Sequence, residues 1–255
     1  MTDRSNWLEL NNAFLSAALT WLRLRLTELA AQHTPHSPEI DQAAALMQSA
    51  ALIDPPPALL SLSRQLGLSP FEQDTLLLCA AMELDTRLPA LCAQAQGDVT
   101  RPYPTFALAL ALFDEPRWDV LSPERPLRYW RLIDIGTNAA QPLIASSLRS
   151  DERIANYLKG LNALDERLTA LLSDIANDEA DLAASQRGLA DEIVQQVRRA
   201  ALQSRAVVVQ LLGADSISKQ LIARAVAQVL HLPVRRLPAL WLPTTRPVAR
   251  LKSAS

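Results

Sequence analysis

Apolar side chains recur every three or four residues over long stretches of the chain, and short, proline-rich polar breaks separate these stretches. In residues 7–31, Trp7, Leu10, Phe14, Ala17, Trp21, Leu24 and Leu26 keep this spacing, which predicts one long amphipathic helix. Residues 33–38 (HTPHSP) break it, and Pro38 with Glu39 suits the first turn of a second helix over 38–53. The run Asp54-Pro55-Pro56-Pro57 ends that helix. A third helix, 58–66, stops at Gly67, a common C-terminal residue because it tolerates left-handed backbone. Ser69-Pro70-Phe71-Glu72 supplies an N-cap, a first-turn proline and an early acid, so a helix is expected over 70–83. Shorter helices are expected at 86–96 and 104–113.

The period changes after 126. Residues 128–135 (RYWRLIDI) and 141–147 (QPLIASS) flank Gly136-Thr137-Asn138, which reads as strand, turn and strand. Helices at 151–160 and 164–172 follow, then an acidic, small-residue stretch at 173–190, then a helix at 189–203. Residues 206–212 (AVVVQLL) form an apolar run too short for a helix and rich in valine, which predicts a buried parallel strand. On that reading a charge at Val208 or Val209 would be destabilising. A helix from Lys219 to Leu230 and a short strand at 234–237 would complete a βαβ unit. Residues 238–255 show no apolar period.

Composition narrows the class. With 49% apolar and 20% charged residues in 255, the chain is not broadly disordered, and 6 glycines against 17 prolines argue against an all-β barrel. No apolar run approaches the ~20 residues that cross a bilayer, and the opening MTDRSNW is not a secretory signal. Two cysteines, Cys79 and Cys92, make no disulfide framework, so a cytoplasmic location is expected. Net charge is −2, but residues 1–100 hold 5 basic and 11 acidic side chains, whereas 206–255 hold 7 basic and one acidic.

The chemistry-bearing segment is Gly213 to Gln220. A phosphate-binding loop needs a glycine, four residues, a second glycine, a lysine and then serine or threonine, so that backbone N–H groups wrap the phosphates and the hydroxyl holds Mg²⁺. Gly213 and Lys219 stand at that spacing, Ser218 replaces the second glycine, and Gln220 replaces the hydroxyl residue. The degenerate site would comprise Gly213, Ser216, Ser218, Lys219 and Gln220. Its bland alternative is a strand-to-helix turn with a surface lysine. Asp215 is the last carboxylate side chain, so no later acid orders a metal or a water, and no catalytic residue and no Mg²⁺ site is expected. His33 and His36 have no partners that complete a metal set, and Cys79 and Cys92 on apolar stretches read as buried thiols. Glu83 and Asp85 flank Leu84 without an evident acid–base role. Arg198, Arg199 and Arg205 read as a solvated helix face or a basic patch.

Several blocks in order, 62–93, 101–113, 118–135, 142–168 and 207–237, together resemble bacterial AAA+ ATPases with a winged-helix domain, of the kind associated with phage-tail-like contractile injection systems. The resemblance implies a mainly α fold: a helical N-terminal region (1–54), a winged-helix domain with a small β-hairpin wing (55–172), a linker (173–190), an incomplete P-loop α/β segment (191–237) and an irregular tail (238–255). It implies protein partners, either an AAA+ oligomer or injection-system components, with ATP held weakly or not at all. The metal-ordering acids and arginine finger of the family have no counterpart here, so ATP hydrolysis by this chain alone is not expected. The expected role is a protein-interaction or regulatory module. The alternatives are a nucleotide-binding subunit completed by other chains, and a winged-helix DNA-binding regulator. Against DNA, the stretch 104–113 carries no charge, and Arg125, Arg128 and Arg131 are the only local basic cluster near the wing. No membrane partner is expected.

Overall fold

A computed structural model describes residues 2–31, 37–136, 141–162, 164, 166–175, 182–202 and 207–241. Contacts divide the chain into two units, Met1–Ala163 and Leu164–Ser255. Among the described residues no helix is long and apolar enough to cross a membrane.

In the first unit α1 (Thr2–Ala31) runs beside α2 (Pro38–Ala50), followed by α3 (Ala58–Leu66), α4 (Pro70–Leu84), α5 (Leu88–Ala95) and α6 (Phe106–Leu112). The ends of these helices are set locally. The Ser37 side chain accepts from the N–H of Glu39. Gly67 closes α3 at φ 70°, where open space would surround a Cβ. Ser69 and Glu72 form a reciprocal capping box at α4, and Thr105 caps α6. The buried stripe of α1 is Phe14, Leu15, Ala18, Trp21, Leu22 and Leu26, with the buried Asn11. Leu10, expected inside, is exposed, because α1 packs against both α2 and α5 and its buried face is turned accordingly. Asn11 ties three segments together: it donates to the Leu158 carbonyl at 2.8 Å and accepts from the Ala58 N–H at 2.9 Å.

The wing departs from the sequence expectation. A single helical turn, α7 (Pro126–Tyr129), occupies the start of the first expected strand. The ladder is β1 (Ile133–Ile135) antiparallel to β2 (Leu148–Ser150), with Asp134 opposite Arg149. Two local causes are visible. Pro126 starts a helical turn, and Arg131 at φ 52° reverses the chain before β1. On the other side Pro142 has no N–H for a ladder and leads into a 3-10 turn at Leu143–Ala145, so pairing begins only at Leu148. Residues 137–140 of the expected turn lie outside the described residues. Asp151 caps α8 (Glu152–Leu158). One core runs through α1 to α8, and Leu76, Leu78, Leu88, Phe106, Leu127 and Leu158 are fully buried in it.

The second unit contains α9 (Glu166–Thr169), β3 (Ser173–Asp174), α10 (Ala184–Leu202), α11 (Ser216–Val229) and β4 (Arg235–Arg236). Its core is small: Ala190, Ile193 and Ile222, with Val197, Leu211 and Val226 packed around them. The stretch expected as a linker holds β3 and about the first two turns of α10, and its residues 176–181 lie outside the described residues. Of the tail, a 3-10 turn at Ala239–Trp241 is described and 242–255 are not.

The structure does not form the expected βαβ unit. Residues 207–212 form no strand, Val208 is 94% exposed and Leu212 is 83% exposed. β4 pairs antiparallel with β3, not parallel with 207–212. Valine-rich composition favours a strand only where a neighbour takes up the backbone groups, and no described segment lies alongside 207–212 as a ladder.

Candidate functional site

The expected phosphate loop falls on the turn into α11, and the structure brings its residues together there. Asp215 is the N-cap. Its Oδ1 accepts from the N–H groups of Ile217 at 2.9 Å and Ser218 at 3.2 Å, and Ser218 Oγ donates to its Oδ2. The Ser218 hydroxyl first, and then these N–H groups, hold the Asp215 carboxyl below the usual carboxylate range. Free N–H groups at a helix start attract anions; here a carboxylate of the chain itself takes two of them. Ser218 Oγ also accepts from Gln186 Nε2 on α10 at 2.8 Å. Gly213 has φ 132°, and a Cβ there would lie 4.0 Å from Lys219 Cε, so the lysine stem folds back over the loop. Ser216 opens α11 in an exposed position, and Gln220 is half-buried one turn in.

The wing arginines turn inward. Arg125 Nη2 donates to Glu72 Oε2, and its Nη1 lies 3.5 Å from Asp119 Oδ2. Arg128 Nη1 donates to the Leu121 carbonyl. Arg117 pairs with Asp119 at 3.4 Å and Arg149 with Glu83 at 3.3 Å. Only Arg131 of the expected cluster is exposed. Over 114–159 the sequence carries seven basic and seven acidic side chains, a balance of zero. α6 presents only the small side chains of Ala107 and Ala111 as exposed, while Phe106, Leu108, Ala109 and Leu112 are buried.

What sequence reasoning missed in this region is a set of exposed aromatic side chains. Trp118 is 66% exposed, Tyr129 63% and Trp130 50%, and the rings of the last two meet edge-on at 4.8 Å. Tyr129 and Trp130 lie in the stretch expected as a strand, yet they sit on a turn; Pro126, three residues before Tyr129, is the sequence signal for it.

The remaining candidates resolve into structure. Cys79 and Cys92 are buried free thiols, and burial pushes Cys92 up to about 12 and Cys79 higher still. Asp85 is buried between two arginines: Arg87 donates through Nε and Nη2 at 2.9 Å each, and Arg23 Nη1 donates at 2.7 Å. Arg87 first, with Arg23, holds the Asp85 carboxyl well below the usual range. Sequence reasoning identified neither partner of Asp85: Arg87 is two residues away and Arg23 is 62 residues away. His33, His36 and Arg205 lie outside the described residues, and Arg198 and Arg199 are exposed on α10. Among the described residues no group of three His, Cys, Asp or Glu side chains is placed to hold a metal ion.

A family model described as "Winged helix domain, variant" matches residues 16–172, which is 157 of the 255 residues. No curated protein and no solved structure matches the chain.

Proposed function

The chain belongs to the family of variant winged helix domains, and from that premise we propose that it acts as a protein-interaction or regulatory module. On the resemblance set out above, the proteins it serves are AAA+ assemblies or components of contractile injection systems. The observation that carries the reading lies at the wing: Arg125 and Arg128 are drawn inward to Glu72, Asp119 and the Leu121 carbonyl, while Trp118, Tyr129 and Trp130 face solvent. Duplex DNA needs clustered cations to neutralise phosphates, and a balance of zero over 114–159 offers none. Exposed aromatic rings with few rotatable bonds suit protein contact instead. The test is co-expression with the products of adjacent genes followed by co-purification. A stoichiometric complex weakened by Trp130→Ser supports the reading, and recovery of none of them counts against it.

A second reading, a nucleotide-binding subunit completed by other chains, is favoured by one observation: Lys219 lies back over Gly213. Against it, a triphosphate would meet the Asp215 carboxylate at the same N–H groups. The residues therefore fit ATP poorly, and no step is assigned to it. Calorimetry with Mg²⁺ and ATP tests this. Saturable binding lost in Lys219→Ala favours the second reading, and no binding by wild type favours the first.

A further inference from the structure

Between α1 and the turn joining α4 to α5 lies an open cleft of about 690 Å³. Between its ends the lining is mixed: Leu19 and Leu84 offer apolar surface, beside Ser16 and Thr86 and over the buried Leu15. Its two ends are cationic. At one end the Lys159 ammonium sits on Asn12 Oδ1 at 2.8 Å, and at the other Arg23 and Arg87 share the single carboxylate of Asp85. Asn12 and Arg23 are eleven residues apart on α1, so the ends are about 16 Å apart along the helix axis.

The charge of this cleft runs against its surroundings. Residues 1–163 carry 13 basic and 18 acidic side chains, a balance of −5. The cleft and its rim hold Arg23, Arg87, Lys159 and Arg149 against Asp85 and Glu83, a balance of +2. Asp85 is buried and its oxygens are committed to the two arginines, which fixes both guanidinium groups while leaving Arg87 Nη1 free of any hydrogen bond to Asp85. A guanidinium held in this way is preorganised to receive a second carboxylate.

The geometry points to this cleft as the docking groove for an acidic amphipathic helix of a partner protein, with carboxylates about three turns apart flanking an apolar middle. A helix suits the groove better than an extended strand, because the walls are side chains of α1 and of the α4–α5 corner and offer no unpaired backbone ladder. Leu19 and Leu84 take the apolar side chains of the helix, and the cationic ends take the carboxylates and fix its register. This deepens the protein-interaction reading and rests on it.

The test uses the full chain and a fluorescein-labelled, helix-forming 13-residue peptide with glutamates at both ends and leucines between, beside a copy whose end glutamates are lysines. Anisotropy is expected to show saturable binding of the glutamate peptide, weakened by added salt, and none of the lysine peptide. The double reversal Arg87→Glu with Lys159→Glu is expected to weaken binding at least about tenfold. Both side chains are exposed. Should the double variant melt early because Asp85 loses a partner, Lys159→Glu alone carries the test with a loss of about threefold. Equal binding of the two peptides, no saturable binding, or affinity unchanged by the reversals overturns the assignment. If the peptide fails while the chain still co-purifies with a neighbouring gene product, the cleft assignment falls and the interaction reading stands.

Discussion

Arg125 Nη2 donates to Glu72 Oε2 at 2.5 Å across 53 residues of sequence, joining the capped start of α4 to the turn that launches the wing. The same Glu72 oxygen accepts from the Ser69 N–H and hydroxyl, so one buried carboxylate holds both the capping box and the wing. Breaking a buried pair by removing one partner leaves the other charge uncompensated, and Arg125→Ala is expected to cost about 3 kcal/mol. Thermal denaturation followed by far-UV circular dichroism checks this, and an unchanged midpoint would mean that the pair does not support the wing.

Asp74, on α4, faces Arg25 of α1 and Asp114 beyond α6. Burial raises its carboxyl from 3.8 to about 7, Arg25 pulls it down and Asp114 pushes it up. Its folded value lies above its unfolded value, so the folded state holds the proton more tightly and loses stability as pH rises from about 4 to about 7. The loss is at most about 4 kcal/mol, from three units at 1.4 kcal/mol each. Urea denaturation at pH 5 and pH 8 is expected to show the wild type weaker at pH 8. Asp74→Asn should flatten that difference, and a variant that keeps the full slope would show that another group carries it.

Two glycines with left-handed backbone separate steric from conformational cost. Gly160 has φ 80°, and a Cβ there would lie 2.4 Å from Leu8 Cδ2 and 3.2 Å from Trp7 Cζ3. Gly67 has φ 70° and open space. Gly67→Ala is expected to cost about 1 kcal/mol from the backbone alone, and Gly160→Ala more, because the Leu8 side chain must shift and the Trp7 ring must give as well. Equal midpoints for the two variants would contradict the packing of Gly160 against α1.

Val208→Asp is now expected to be nearly silent. In a buried strand an unpaired charge would be severe, but Val208 is 94% exposed outside any strand, and surface substitutions of this kind stay within about 0.5 kcal/mol. A loss of solubility or a large fall in the midpoint would restore the strand.

Helix ends were legible where the signal is local. Ser69 three residues before Glu72, Gly67 and Asp151 each cap the helix that sequence placed beside them, and Pro38 sits at the helix start expected of it. The wing was legible as a hairpin but not in register, because Arg131 takes a left-handed turn that no propensity announces and Pro142 delays the ladder to Leu148. Residues 207–212 misled because valine content reports what a segment would do beside a partner strand, not whether one is present. At the candidate sites, the spacing of Gly213 and Lys219 could be read directly. Asp215 turning its carboxylate onto the same N–H groups could not, since an aspartate in that loop is equally compatible with solvent. The inward turn of Arg125 and the meeting of Arg23 with Asp85 depend on tertiary contacts 53 and 62 residues long.

The most direct measurement is anisotropy of a fluorescein-labelled 30-base-pair duplex titrated with the full chain at low salt, repeated at higher salt. A winged helix whose Arg125 and Arg128 are spent on Glu72, Asp119 and the Leu121 carbonyl is expected to give no saturable binding at concentrations up to about 10 μM, tighter than the weak end of non-specific DNA affinity. Submicromolar binding that falls steeply as salt is added, and that is lost when Arg131 and Arg149 are both changed to Glu, would contradict the account and return the wing to nucleic acid.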